Sequence, residues 1–74
     1  MLINKYEREF EDLGWKLNDF ATMNNYYVFE RQQEKLCINM DKMKIEHYMF
    51  DIDSLPELSY ETLELVMEVF EEKR

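Results

Sequence analysis

The sequence predicts an α+β domain: a helix, a three- or four-stranded antiparallel meander and a second helix, with both helices on one face of the sheet. Three observations predict it. Apolar residues recur at three- and four-residue spacing at both ends of the chain. They alternate at a spacing of two through the middle. The one glycine and the one proline stand where those periods change. With 74 residues the chain is one domain, residues 1–74, with a small core and modest stability.

The first helix is carried by Ile3, Tyr6, Phe10 and Leu13, with Lys5, Glu7, Arg8, Glu9, Glu11 and Asp12 on its other faces. Gly14 stands where a left-handed cap belongs. Trp15 just beyond it is placed to close back on Phe10, as in a Schellman ending. Residues 26–31, 35–40 and 43–50 are the strands, rich in Tyr, Val, Phe and Ile, and 15–19 is a weaker fourth. A two-residue turn at Gln32-Gln33 sets Phe29 opposite Leu36 and Tyr27 opposite Ile38. One at Asp41-Lys42 sets Met40 opposite Met43, Ile38 opposite Ile45 and Leu36 opposite His47. Both turns gather the same residues on one face, and a one-residue slip in either would scatter them. In the last helix Ser59 is the N-cap, Leu58 with Leu63 has the spacing of a hydrophobic staple, and Leu63, Val66, Met67 and Phe70 form the expected core stripe, with Tyr60 at its edge.

Composition excludes several classes of function. The chain has 17 acidic and 9 basic residues, net −8, which argues against binding phosphate backbones or anionic lipid. There is no apolar run long enough to span a bilayer, and charges stand where a signal peptide needs an apolar stretch, so a cytoplasmic location is expected. The single cysteine, Cys37, excludes an internal disulfide and a multi-cysteine zinc site. One glycine cannot build a phosphate-cradling loop.

The acidity is localised. Residues 1–14 carry net −2, residues 15–50 are neutral, and residues 51–74 carry −6. Within the last helix Glu61, Glu64, Glu68 and Glu72 step by three, four and four and stand in one row. The row is either a solubilising face or an anionic ridge for a basic groove. Leu65 and Val69 form a second apolar edge, expected either inside the core or at an interface. On the outer sheet face Tyr26, Val28, Cys37, Tyr48 and Phe50 offer either cross-strand stabilisation or a surface for a second copy or a partner.

Nothing in the sequence assembles a catalytic, cofactor or metal site, and no enzyme is expected. His47 belongs at the rim of the core, and strand alternation sets Cys37 on the opposite sheet face. The alternating carboxylates Asp51, Asp53 and Glu57 lack the glycine and acidic frame of a calcium loop. The methionines serve as core filler, with Met23 and Met40, near turns, suited to an adaptable contact.

Phe10-Glu-Asp-Leu-Gly-Trp15, Tyr26-Tyr-Val-Phe-Glu30, Leu36-Cys-Ile-Asn-Met40 and Leu58-Ser-Tyr-Glu-Thr-Leu-Glu64 together resemble small phage and prophage accessory proteins. In those, a helix ending in Leu-Gly-Tyr or Leu-Gly-Trp leads to a meander and a closing acidic helix. The second Leu-Gly-Trp that many of them carry is missing here, and no functional residue carries over. The resemblance implies a mobile-element setting, in which small acidic proteins often inhibit host nucleases, as anti-CRISPR and anti-restriction proteins do.

The expected function is therefore a non-enzymatic interaction protein, without cofactor, that binds and inhibits or modulates a larger basic protein. Glu61, Glu64, Glu68 and Glu72 would steer it. Leu65 with Val69, or Tyr26 with Tyr48 and Phe50, would supply the apolar contact. The alternative is a homodimeric accessory protein that pairs through Tyr26, Val28, Tyr48 and Phe50, its acidity serving solubility only.

Overall fold

A computed structural model of the chain describes residues 2–49 and 58–73. The expectations placed on Phe50 and on residues 51–57 lie outside that range. The chain opens with a 3-10 turn, Leu2–Lys5, and continues into helix α1, Glu7–Asp12. Ile3, Tyr6 and Phe10 are buried and Leu13 is half-buried, as their spacing requires. Gly14 ends the helix at φ +91°. Its N–H donates to the Glu11 carbonyl, and the Trp15 N–H donates to the Phe10 carbonyl, each at 2.9 Å. That pair of bonds is the Schellman ending. A Cβ at Gly14 would also lie 3.0 Å from Arg31 Cδ. Gly14→Ala is therefore expected to lower stability by about 1–2 kcal/mol, read from urea midpoints, because the left-handed backbone strains any L side chain.

Four antiparallel strands follow in the order β1-β2-β3-β4: Lys16–Leu17, Tyr26–Arg31, Glu34–Asn39 and Lys44–Met49. The weak fourth strand is real but only two residues long, pairing Lys16 with Glu30 and Leu17 with Phe29. The register is the one the alternation demands: Tyr27 faces Ile38, Phe29 faces Leu36, Ile38 faces Ile45 and Leu36 faces His47. The β2–β3 turn is Gln32-Gln33, with Gln32 at φ +52°. The β3–β4 loop spans residues 40–43, with Met43 at φ +54° and Asn39 Oδ1 accepting from the Lys42 N–H at 3.1 Å. It is longer than the two-residue turn expected, yet it keeps the same pairing.

Helix α2, Tyr60–Lys73, closes the fold. Ser59 is its N-cap, its Oγ accepting from the Thr62 N–H at 3.3 Å. One core joins Ile3, Tyr6 and Phe10 to Trp15, Tyr27, Phe29, Leu36 and Ile38, and to Leu65, Val66, Val69 and Phe70 of α2. The Phe10 and Phe29 rings stack with centroids 4.2 Å apart.

The stripe that α2 buries differs from the expected one. Thr62, Leu65, Val66, Val69 and Phe70 face inward, whereas Leu63 and Met67 are exposed. At 100° per residue the helix is turned by about 80° from the orientation its Leu63-Val66-Met67-Phe70 stripe suggested. The physical reason lies across the core. Trp15 is buried and its Nε1–H needs an acceptor, which Thr62 Oγ1 supplies at 3.1 Å, with Ser59 Oγ 2.8 Å from the same oxygen. Turning Leu63 and Met67 inward would carry Thr62 away from that bond.

Candidate functional site

The rotation of α2 decides what the helix offers outward. Leu65 and Val69, proposed from sequence as a partner contact, are buried in the core and are not an exposed contact. Their place is taken by Tyr60, Leu63 and Met67, which are 75%, 40% and 53% exposed. These three follow i, i+3, i+7 spacing and form one apolar row. Glu61, Glu64 and Glu68 are exposed in the adjoining row, so apolar and anionic ridges run side by side along the helix. Across a shallow groove, Glu9 and Asp12 of α1 face the same carboxylates, with Leu13 and Leu65 between them. That concentrates negative charge on one flank of the apolar row.

Glu72 does not serve with the other three. Its Oε1 lies 2.6 Å from Lys5 Nζ and its Oε2 accepts from the Tyr6 hydroxyl at 2.7 Å. The carboxylate thus ties the C-terminal turn of α2 to the start of the chain. Hydrogen bonding by Lys5, and then by Tyr6, holds the Glu72 carboxyl below its ordinary value of 4.5. The hydrogen bond to Glu72, helped by burial, pushes the Tyr6 phenol from 10.0 up to about 12. The signs set a window. The Glu72 contribution is present above its unfolded pKa and fades as acid protonates it. The Tyr6 contribution is present below pH 10 and fades as the phenol ionises toward pH 12. Glu72→Gln is therefore expected to lower the urea midpoint most between these limits, and the gap from wild type should close on both sides.

The outer sheet face is less open than the sequence suggested. Val28 and Cys37, a cross-strand pair, are both buried, so Val28 cannot be part of an exposed interface. Tyr26 is half-buried; its hydrogen bond with Cys37, and then burial, push its phenol up to about 12. Tyr48 is 47% exposed and its hydroxyl donates to Glu46. Among the described residues, Tyr48 is the one large apolar side chain left exposed on that face.

His47 stands opposite Leu36 at the rim of the core, its ring edge-on to Trp15 at 6.3 Å. Its Nε2 is buried 3.5 Å from Glu34 Oε1, too far for a hydrogen bond. Strand alternation sets Cys37 on the other side of the sheet. No group of three or more His, Cys, Asp or Glu among the described residues has metal-binding geometry. No helix among them is long and apolar enough to cross a membrane.

The loop between β1 and β2 carries a feature that periodicity does not reveal. Asn18 Oδ1 accepts from the N–H groups of Phe20 and Ala21 at 3.1 and 3.2 Å, and this turn leaves the Phe20 ring fully exposed. Met23 is also exposed there, as an adaptable contact would need, whereas Met40 is buried in the core and cannot serve as one. The signal in sequence was Asn18-Asp19, a turn-forming pair, with the apolar Phe20 directly after it and outside any strand pattern. Comparison of the chain with protein-family models, curated proteins and solved structures finds no match.

Proposed function

We propose that this chain is a non-enzymatic interaction protein that binds a larger, basic protein through the outward face of α2 and blocks or modulates it. One observation carries the proposal: Tyr60, Leu63 and Met67 are exposed as a row while Glu61, Glu64 and Glu68 line its flank. A carboxylate row alone would serve solubility. An apolar row alone, on a chain of net −8, would be an unexplained solvent-facing patch. Together they have the anatomy of a contact, with an apolar centre to slow dissociation and a charged rim to speed encounter. A basic, nucleic-acid-handling host protein fits that rim, and the mobile-element setting implied by the sequence resemblance belongs to the same proposal.

Pairing through the outer sheet face has less support, since Val28 is buried and, among the described residues, Tyr48 is the one large apolar side chain exposed on it. The test compares surfaces on one fold. Leu63→Asp with Met67→Asp changes only exposed side chains, as does the triple change of Glu61, Glu64 and Glu68 to Gln. The basic protein that wild type retains from host lysate should be purified and titrated with each variant. The aspartate pair is expected to weaken binding by about 2 kcal/mol or more, mainly through faster dissociation. The glutamine triple should slow association and flatten its salt dependence. A partner that binds both variants like wild type removes α2 from the mechanism.

A further inference from the structure

Resting on that reading of α2, we infer that the element it receives is a basic amphipathic helix, with an apolar seam of about two turns and Lys or Arg along one flank. Tyr60 and Met67 are seven residues apart, about 10 Å of helix axis, with Leu63 between them. Three apolar side chains at that spacing form a ridge that fits the groove of a second helix lying nearly parallel to it. The anionic flank is one-sided. Glu61, Glu64 and Glu68 lie beside the apolar row toward α1, where Glu9 and Asp12 add to them, whereas Val66 and Phe70 on the other side turn into the core. A partner helix seated on the apolar row therefore meets carboxylates along one edge only.

Other occupants fit less well. An extended peptide gains affinity by pairing backbone with an exposed strand edge, and α2 satisfies its own backbone. An antiparallel second copy of α2 would set one carboxylate row against another, and a parallel one would bring together two chains of net −8. Phosphate backbones and anionic lipid meet the same repulsion.

A labelled Leu/Lys peptide of about 18 residues, five helical turns, tests the inference against a scrambled peptide of identical composition. Fluorescence anisotropy with the full chain is expected to show the amphipathic peptide binding at least tenfold more tightly than the scrambled one, about 1.4 kcal/mol. The preference should disappear in Leu63→Glu and in Met67→Glu, both exposed positions whose variants keep the wild-type circular dichroism. It should persist in Tyr48→Glu. Equal binding of the two peptides, binding of neither, or a preference that survives both α2 substitutions overturns the helix inference. If the purified basic partner still requires Leu63 and Met67 in that event, the proposed function stands and only the form of the docking element changes.

Discussion

Arg31→Ala is expected to destabilise the fold by about 3 kcal/mol, although Arg31 sits at the end of a strand and its side chain is 25% exposed. The guanidinium serves three neighbours at once. Its Nε is 2.7 Å from Glu34 Oε2, its Nη1 donates to the Leu13 carbonyl at 2.9 Å, and its plane lies 4.2 Å from the centre of the Trp15 ring. Removing it leaves a nearly buried carboxylate at Glu34 and an unpaired carbonyl at the end of α1. It also uncovers one face of Trp15. The carboxylate dominates, because an ion left alone in a site of low polarity costs more than the pair it belonged to contributed. That ordering has a direct check. Glu34→Gln added to Arg31→Ala should recover at least about 1 kcal/mol in urea unfolding, since the second change removes the stranded charge. Arg31→Ala costing less than about 1 kcal/mol, or no recovery in the double variant, would mean that water reaches Glu34 and the pair is a surface contact.

This cluster also marks where sequence reasoning stops. The sheet register was legible because a slip by one residue would turn Tyr27, Phe29, Leu36 and Ile38 out of the core together, so several residues enforce one answer. The helix ending at Gly14 was legible because only glycine occupies φ +91° without strain. The orientation of α2 was not. Tyr60, Leu63, Leu65, Val66, Met67, Val69 and Phe70 spread apolar side chains over most of the helix circumference, and amphipathicity cannot choose between two overlapping stripes. The choice falls to a single polar contact between Trp15 and Thr62, residues 47 apart in the chain. For the same reason only part of the expected outward face is exposed. The glutamate row survives at Glu61, Glu64 and Glu68, but Leu65 with Val69 and Leu63 with Met67 exchange roles when the helix turns. Glu72 left the row because Lys5 and Tyr6 come within reach only after the chain folds.

Trp15→Ala should be more damaging still, about 4 kcal/mol, a large share of the roughly 5–10 kcal/mol available to a domain of this size. Trp15 is 1% exposed and packs where α1, the sheet and α2 meet, so its loss opens a cavity between all three. Two milder substitutions separate its bulk from its hydrogen bond. Trp15→Phe keeps a ring for Arg31 to cover but removes the Nε1 donor. Thr62 Oγ1 still has Ser59 Oγ at 2.8 Å, so no polar atom is orphaned and a loss of about 1–2 kcal/mol is expected. Thr62→Val works from the other side. It keeps the volume and strands the Trp15 N–H in the core, at about 2–3 kcal/mol. The acceptor should therefore matter more than the donor. Because the Thr62 bond also sets the rotation of α2, Thr62→Val should shift the exposure of Met67 and Val69 in opposite directions, which side-chain methyl shifts can follow. A neutral Thr62→Val with unchanged methyl environments would show instead that packing of Val66 and Val69 alone fixes the helix, and with it the face that α2 presents.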